Sequence, residues 1–226
     1  MGHSLHLEPV GPQHVSEVQE LVSSHPDIVG MTRMPDPYPE DGAATWIARA
    51  VPLHEAGEMF SFAIVLDDGR VAGMVGLARE GVRVRLEAAE AGGAEGGSPE
   101  EDGSEEAGSE EVEAKDGRAE MGYWVGGPFW SRGYATEAVR QLLEFAFGKL
   151  GVECIFATPL ERNVASQKVL EKNGFELTRV YPNTEPRWEP TDRLMEFEMT
   201  RDRWSAAGEN DGDARAGNRS GPGTRA

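Results

Sequence analysis

A loop followed by a helix has the residue types of an anion-binding site. Residues 130–138 read Trp-Ser-Arg-Gly-Tyr-Ala-Thr-Glu-Ala, and they follow an apolar stretch from Met121 to Val125 that predicts a strand. Gly133 lets the backbone approach a ligand closely, and the first N–H groups of a helix have no partner inside it. The positive end of the helix dipole adds to their attraction for anions. This strand–loop–helix pattern therefore predicts a site for a pyrophosphate group.

A second motif lies further along the chain. Residues 163–175 read Asn-Val-Ala-Ser-Gln-Lys-Val-Leu-Glu-Lys-Asn-Gly-Phe, which predicts a helix that ends at Gly174. Together with Glu120-Met-Gly-Tyr-Trp-Val before the first motif, this sequence resembles the GNAT superfamily of acetyl-CoA-dependent N-acetyltransferases. It is most similar to the RimJ/RimL-like branch, which contains the ribosomal-protein N-terminal-alanine acetyltransferases and in which an aromatic residue such as Trp130 is common.

The resemblance implies an α/β protein with the GNAT fold, a mixed, mostly antiparallel, splayed sheet flanked by helices on both faces. It also implies direct transfer of acetyl from acetyl-CoA to a primary amine. In the family, the loop binds the phosphates of the coenzyme, and the fourth strand and a later helix contact its pantetheine arm and thioester. Carried over to this sequence, the cofactor-binding residues are Arg132, Gly133, Tyr134, Ala135 and Thr136 in the loop, Tyr123, Trp124 and Val125 in the strand, and Asn163 and Ser166 in the helix.

Glu120 is the candidate general base. An amine acceptor arrives as an ammonium group and must lose a proton before it attacks the thioester. The family has a glutamate at this position, at the start of the fourth strand. A role as substrate anchor and a role as structural partner are the alternatives.

The later helix supplies a further set of candidates with two interpretations. Asn163 and Ser166 match positions that contact the cofactor in the family, but Asn is also a favoured helix N-cap, and the two roles are compatible. Many superfamily members have a tyrosine on this helix as general acid, and here Leu170 occupies the matching position. Either Ser166 or water protonates the leaving thiolate, or no acid is needed.

Two aromatic residues, Tyr38 and Trp46, are candidates for the acceptor pocket because they lie in the loop and helix that cover the cleft in the family. For Trp46, a packing role is the favoured alternative. The five histidines all lie in the first quarter of the chain without metal-ligand spacing, so we expect no metal site.

The charge of the chain limits its partners and its compartment. The formal net charge is −18, which argues against nucleic acid and against anionic membrane surfaces. No apolar stretch is long enough to cross a bilayer, and the N-terminus lacks the apolar segment of a signal peptide. The single cysteine, Cys154, excludes an intrachain disulfide. These features predict a cytoplasmic protein, and by family resemblance a homodimer is an open possibility.

The acidic residues are concentrated in one segment. Residues 80–118 contain thirteen acidic and four basic residues, a net charge of −9 and half of the total. Residues 86–117 have almost no large apolar side chain, so we predict a disordered insertion in a single domain over 1–204, followed by a disordered tail over 205–226. The insertion is either a neutral expansion of a hairpin loop or an electrostatic lure for a cationic acceptor.

Apolar periodicity predicts the remaining elements. We expect a first helix near residues 13–22, a second that ends at Pro52, a third strand that reaches as far as Arg85, and a closing pair of strands at 175–181 and 193–200.

The predicted function is N-acetyl transfer from acetyl-CoA to a peptide or protein N-terminal amine. Small-molecule amines are the first alternative, and a non-catalytic acyl-CoA-binding module is the second.

Overall fold

The computed structural model describes residues 4–82 and 117–208. Its seven strands form one sheet in the order β1-β2-β3-β4-β5-β7-β6. The strands are β1 Leu5–Pro9, β2 Met59–Leu66, β3 Val71–Arg79, β4 Arg118–Val125, β5 Cys154–Ala157, β6 Glu176–Pro182 and β7 Arg193–Thr200. Every neighbouring pair is antiparallel except β4 and β5, which are parallel. The prediction of a mixed, mostly antiparallel sheet is confirmed.

Helices cover both faces of this sheet. The helices are α1 Val15–Ser23, α2 Pro26–Gly30, α3 Gly42–Glu55, α4 Tyr134–Phe145 and α5 Val164–Lys172, and residues 201–208 are also helical. The larger apolar core lies under α4 and α5, where Val139, Leu142 and Leu170 are fully buried. A second core joins α1 and α3 to the opposite face through Val18, Ile47 and Met74.

Several boundaries differ from the sequence prediction. Pro52 lies inside α3, because the N–H groups of Ala56 and Gly57 bond to the carbonyls of Pro52 and His54 and complete one more turn. The short helix α2 was not predicted, and β3 ends at Arg79 rather than near Arg85.

The predicted insertion and tail fall mainly outside the described part of the chain. Residues 86–116 of the insertion and residues 209–226 of the tail lie beyond it. Residues 205–208, placed in the tail by the sequence prediction, continue the final helix. Gly117 is described, and its carbonyl accepts hydrogen bonds from the N–H groups of Glu153 and Cys154.

The β4–β5 pair separates partway along its length. Pairing joins Arg118–Glu120 to Cys154–Phe156, whereas β4 continues to Val125. β5 ends at Ala157, two residues before Pro159, which has no N–H group with which to extend a ladder. The result is an open gap beside the second half of β4.

The opposite neighbour of β4 approaches it closely at Gly73. A Cβ atom added to Gly73 would lie 2.2 Å from the Trp124 carbonyl oxygen and 2.8 Å from the Val125 Cα atom. Both contacts are with backbone, so a side chain here would push β3 away from the half of β4 that borders the gap.

We therefore predict that Gly73→Ala lowers the free energy of unfolding by about 1–3 kcal/mol because the strands must separate. Gly148→Ala is the matched control, since a Cβ atom there meets nothing within 4 Å. Gly148→Ala should leave the free energy of unfolding unchanged or raise it slightly. Urea unfolding of both variants tests this, and equal stabilities would contradict the close-approach argument.

Candidate active site

The loop before α4 is held in an unusual backbone conformation. Gly133 is the N-cap of α4 and has φ +83°, and Ser131 has φ +60° without being a glycine. A Cβ atom on Gly133 would meet nothing within 4 Å, so this loop faces open space. Positive φ at a serine costs about 1–2 kcal/mol, and such strain is concentrated at functional sites.

The first turn of α4 directs its backbone donors toward that open space. The first intrahelical bond joins the Glu137 N–H to the Gly133 carbonyl at 3.0 Å, so the N–H groups of Ala135 and Thr136 precede the bonded ladder. The Tyr134 ring is buried against Phe129, which leaves only its backbone on the loop side. These donors, with the exposed Arg132 beside them, fit a pyrophosphate group.

Two hydrogen bonds show which backbone groups of β4 face the gap. The N–H of Gly126 donates to the Ala72 carbonyl at 2.8 Å, and the N–H of Glu80 donates to the Arg118 carbonyl at 3.1 Å. The register between β3 and β4 is continuous from one bond to the other. Because backbone groups of alternate residues turn to the same side of an antiparallel strand, the even-numbered residues of β4 bond to β3. The odd-numbered residues face the other way.

Tyr123 and Val125 consequently direct their N–H and C=O groups into the gap. Trp124, which the sequence grouped with them, turns its backbone to Met74 of β3 and its side chain to the second core. The Val125 carbonyl accepts a 2.6 Å hydrogen bond from the indole nitrogen of Trp130. The gap therefore offers both groups of Tyr123 and the N–H of Val125 to an extended ligand.

A pair of hydroxyl groups closes the far side of the gap. The Tyr123 hydroxyl donates to the Ser166 carbonyl at 3.0 Å and lies 2.8 Å from the Ser166 hydroxyl. Because that carbonyl takes the phenolic hydrogen, the serine hydroxyl is the donor between the two. Burial raises the pKa of Tyr123 well above its ordinary value, although the bond with Ser166 acts in the opposite direction. The phenol therefore stays protonated.

The N-terminus of α5 is fixed by its cap. The Asn163 side-chain oxygen accepts a 3.1 Å hydrogen bond from the Ser166 N–H. The capping interpretation of Asn163 is therefore observed directly, and it places Ser166 beside Tyr123. Leu170, one turn further on, is fully buried in the core and has no group that can give a proton.

Glu120 belongs to a charged cluster that sequence reasoning did not find. Its Oε1 atom lies 3.3 Å from Arg33 Nη1 and 3.4 Å from the Thr158 hydroxyl. Arg33 also donates from Nε to Glu185 at 2.6 Å and from Nη2 to Thr158 at 3.2 Å. Two glutamates therefore share the guanidinium group of Arg33. They come from separate loops and strands, so no local pattern could identify them.

An open surface adjoins Glu120 on β4. Glu120, Gly122 and Trp124 lie on one face, since they alternate along the strand. A Cβ atom on Gly122 would meet nothing within 4 Å. Gly76 is its cross-strand partner on β3. Gly122 therefore leaves room for a ligand next to the glutamate, whereas a Cβ atom on Gly76 would lie 2.7 Å from the Phe60 carbonyl oxygen.

The two predicted pocket aromatics lie in different surroundings. The Tyr38 ring is half-buried and would lie 2.8 Å from a Cβ atom on Gly42, at the start of α3. Burial raises the pKa of Tyr38. Trp46 is 37% exposed, and both its pocket role and its packing role stay predictions. The buried stripe of α3 runs along Ala43, Ile47 and Ala50, and Trp46 lies at its edge.

Two other kinds of site are absent from residues 4–82 and 117–208. No group of three or more His, Cys, Asp or Glu residues there is arranged to hold a metal ion. None of the helices in those ranges has the length and apolar character needed to cross a membrane.

Comparison with known proteins identifies the class to which this site belongs. A family model described as an acetyltransferase (GNAT) domain matches residues 4–176. The match covers more than half of the chain, so the chain belongs to the GNAT acetyltransferase family. It contains an acetyl-CoA-dependent N-acetyltransferase domain.

The individual curated relatives match only short parts of the chain. An uncharacterized N-acetyltransferase p20 from Bacillus licheniformis is 37% identical over 62 residues, which are 27% of this chain and 35% of the relative. The chain spans 35–38% of the length of the curated relatives it matches.

Solved structures share the fold over most of the chain. RimL, described as a ribosomal L7/L12 alpha-N-protein acetyltransferase in complex with coenzyme A, superposes with a TM-score of 0.67 at 15% identity and covers 87% of this chain and 94% of its own. Spermidine N-acetyltransferase from Vibrio cholerae superposes with a TM-score of 0.65 at 12% identity. The superposition covers 89% of this chain and 98% of that one. Enzymes with different acceptors thus share this architecture.

We predict that Gly133→Ala weakens acetyl-CoA binding by about tenfold or more, because positive φ at alanine distorts the loop and its Cβ atom enters the open space. Gly151→Ala is the matched control, since Gly151 also has positive φ, with nothing within 4 Å of a Cβ atom. Calorimetric titration with acetyl-CoA should show the loss in the first variant alone. Equal affinities of the two variants for acetyl-CoA would show that the loop does not bind the cofactor.

The raised pKa of Tyr123 predicts a specific dependence of stability on pH. Above pH 10, the ordinary pKa of a tyrosine phenol, Tyr123 ionises in the unfolded chain but stays protonated in the folded one. The free energy of unfolding should therefore fall as pH rises, by up to about 1.4 kcal/mol per pH unit from this group. Tyr123→Phe should remove that part of the slope in urea unfolding between pH 9 and 11. If the free energy of unfolding changed with pH in the same way in the wild type and in Tyr123→Phe, the burial of the phenol would be contradicted.

Proposed function

We propose that this protein acetylates the N-terminal amine of a peptide or protein, with acetyl-CoA as the acetyl donor. The observation that carries the proposal is the position of Glu120. Its carboxylate lies at the last paired residue of β4, where the gap begins, beside the open surface at Gly122. An amine held there would lie between a base and the backbone groups that face the gap.

The chain supplies distinct groups to each part of the reaction. The N–H groups at the start of α4 and the side chain of Arg132 bind the phosphates of the donor. Tyr123 and Val125 align its extended arm by strand-like hydrogen bonds, and one of their N–H groups polarises the thioester carbonyl. Asn163 contributes through its cap of α5, which holds Ser166 in place.

We assign proton transfer to side chains at the two ends of this arrangement. Glu120 accepts a proton from the ammonium group, directly or through water. The Ser166 hydroxyl, which lies 2.8 Å from the Tyr123 hydroxyl, or water gives a proton to the leaving thiolate. Leu170 leaves no other donor at the position where many relatives have a tyrosine.

A small-molecule amine is the alternative acceptor, and the resemblance of the fold to spermidine N-acetyltransferase supports it. Thiol release from acetyl-CoA, measured against peptides that begin with Ala or Ser and against small amines, tests the two. Release with the peptides, abolished in Gly133→Trp, supports the proposal. Thiol release with small amines alone would show that the acceptor is a small molecule. Acetyl-CoA binding without thiol release on any amine would favour a non-catalytic module.

We expect Glu120→Gln to lower kcat by about 10²–10⁴-fold while acetyl-CoA affinity is retained, because the isosteric amide cannot take a proton. Glu185→Gln is the comparison variant, since Glu185 is the other carboxylate bound by Arg33. Steady-state kinetics with a saturating amine separate the two. A larger loss of kcat in Glu185→Gln would assign the base to that residue instead.

A further inference from the structure

Trp130 closes one end of the gap beside β4. Its indole Nε1 atom donates to the Val125 carbonyl oxygen at 2.6 Å, which is short for an N–H···O bond. Val125 is the last residue of β4, and its carbonyl points away from β3 into the gap. The indole nitrogen therefore lies at the end of the gap that adjoins the loop before α4.

The position of Trp130 is fixed by its neighbours. Its backbone N–H donates to the Gly127 carbonyl at 3.2 Å, and its ring centre lies 6.3 Å from that of His25. His25 packs tightly on Gly127, where an added Cβ atom would lie 2.1 Å from the His25 Cδ2 atom. Trp130 is thus bonded through its backbone and its indole nitrogen, although 47% of the residue is exposed.

The indole bond changes what β4 offers to an extended ligand. Tyr123 and Val125 direct their N–H and C=O groups into the gap, and the Val125 carbonyl lies nearest the loop. A chain that pairs with a strand runs about 4.8 Å from it and places its own N–H groups against the carbonyls. Beside Val125, the indole nitrogen of Trp130 lies where such an N–H group would be. For a ligand that enters from the loop, the next carbonyl along the gap is that of Tyr123.

The spacing of these two carbonyls determines how far a paired chain reaches. Groups on the same side of a strand are two residues apart, which is about 6.6 Å. Glu120 is the last residue of β4 that pairs with β5, and it lies beyond Tyr123 as seen from the loop. A chain displaced by one repeat toward the loop would stop short of Glu120 by that distance. The backbone groups of Tyr123 and Val125 are alike, so a side chain must make the choice between them.

We propose that Trp130 sets the register in which the pantetheine arm of the acetyl donor pairs with β4, because it closes the Val125 carbonyl to the arm. The arm contains two amide groups, so it can pair with a strand in more than one register. With Val125 closed, pairing begins at Tyr123 and the thioester reaches Glu120. Trp130 is a positioning residue, since it acts on the acetyl group only through the arm. The inference rests on the proposed function in placing the donor in the gap and the amine at Glu120.

The loop before α4 supplies a second constraint on the same register. Phosphates held by the first N–H groups of α4 fix one end of the donor, so that an intact coenzyme has little freedom to slide along β4. A donor without phosphates depends on Trp130 alone. Pantetheine and coenzyme A should therefore respond differently to the loss of the indole N–H, whereas general damage to the site would weaken both.

Calorimetric titrations with pantetheine and with coenzyme A, neither of which can transfer acetyl, test the inference without turnover. Trp130→Phe keeps an aromatic ring but loses the N–H donor, so the Val125 carbonyl becomes an acceptor for the arm. The variant should bind pantetheine about two- to tenfold more tightly than the wild type, the range that one added hydrogen bond gives. Its affinity for coenzyme A should stay within about twofold of the wild-type value, because the phosphates prevent the shift.

Two further variants separate the N–H group from the ring. In Trp130→Gln, the side-chain amide nitrogen is the same number of bonds from Cβ as the indole nitrogen, so it keeps a donor for Val125 and should retain the wild-type affinity for pantetheine. Trp204→Phe is the matched control for loss of an indole elsewhere, since Trp204 packs on Phe147 in the core under α4. It should leave both affinities unchanged. Circular dichroism verifies that each variant is folded.

Kinetics with acetyl-pantetheine give a second readout. A shifted register is unproductive binding, which lowers kcat and KM by the same factor and leaves kcat/KM unchanged. Trp130→Phe should show this parallel fall, about two- to tenfold, with acetyl-pantetheine and little change with acetyl-CoA. A merely structural role would instead raise KM for both donors.

The inference is overturned if Trp130→Phe leaves pantetheine affinity unchanged, or weakens pantetheine and coenzyme A to the same extent. An equal gain of pantetheine affinity in Trp130→Gln would also overturn it, because the N–H group would then play no part. The proposed function fails separately, by absence of thiol release with any peptide while the change in pantetheine affinity persists.

Discussion

The separation of β4 from β5 after Glu120 is the constraint on which the rest of the site depends. A strand that loses its neighbour keeps N–H and C=O groups that still require partners, and burial would make their absence costly. Here Tyr123 and Val125 present those groups to a gap, and Trp130 satisfies one of them. The sheet thus offers an extended ligand the hydrogen bonds that a missing strand would make.

The elements around the gap depend on this separation. β3 remains close to β4 through Gly73, so the gap does not close by a shift of β4 toward β5. The start of α4 lies beyond the end of β4 and supplies donors for an anion. α5 brings Ser166 to Tyr123 across the opening. One irregularity in the sheet therefore brings the candidate cofactor-binding groups together.

The acceptor side depends on a different interaction. Arg33 joins Glu120, Thr158 and Glu185, which belong to β4, the end of β5 and the loop after β6. A guanidinium group can do this because its five donors point in fixed, separate directions. A partly buried cation between two carboxylates holds them at a fixed distance.

Local signals in the sequence determined much of the fold and of the cofactor side of the site. The glycine at 133, the apolar periodicity of α4 and the Asn163 cap act within a few residues, so their types and spacing specify a loop, a helix and a helix start. The sequence could not show that Trp124 turns its backbone to β3, because strand register sets that direction. Nor could it show that Arg33, Glu120 and Glu185 meet, or that Trp46 is exposed. Such contacts join residues far apart in the chain, and only the packed sheet and its loops decide which of them lie within hydrogen-bonding distance.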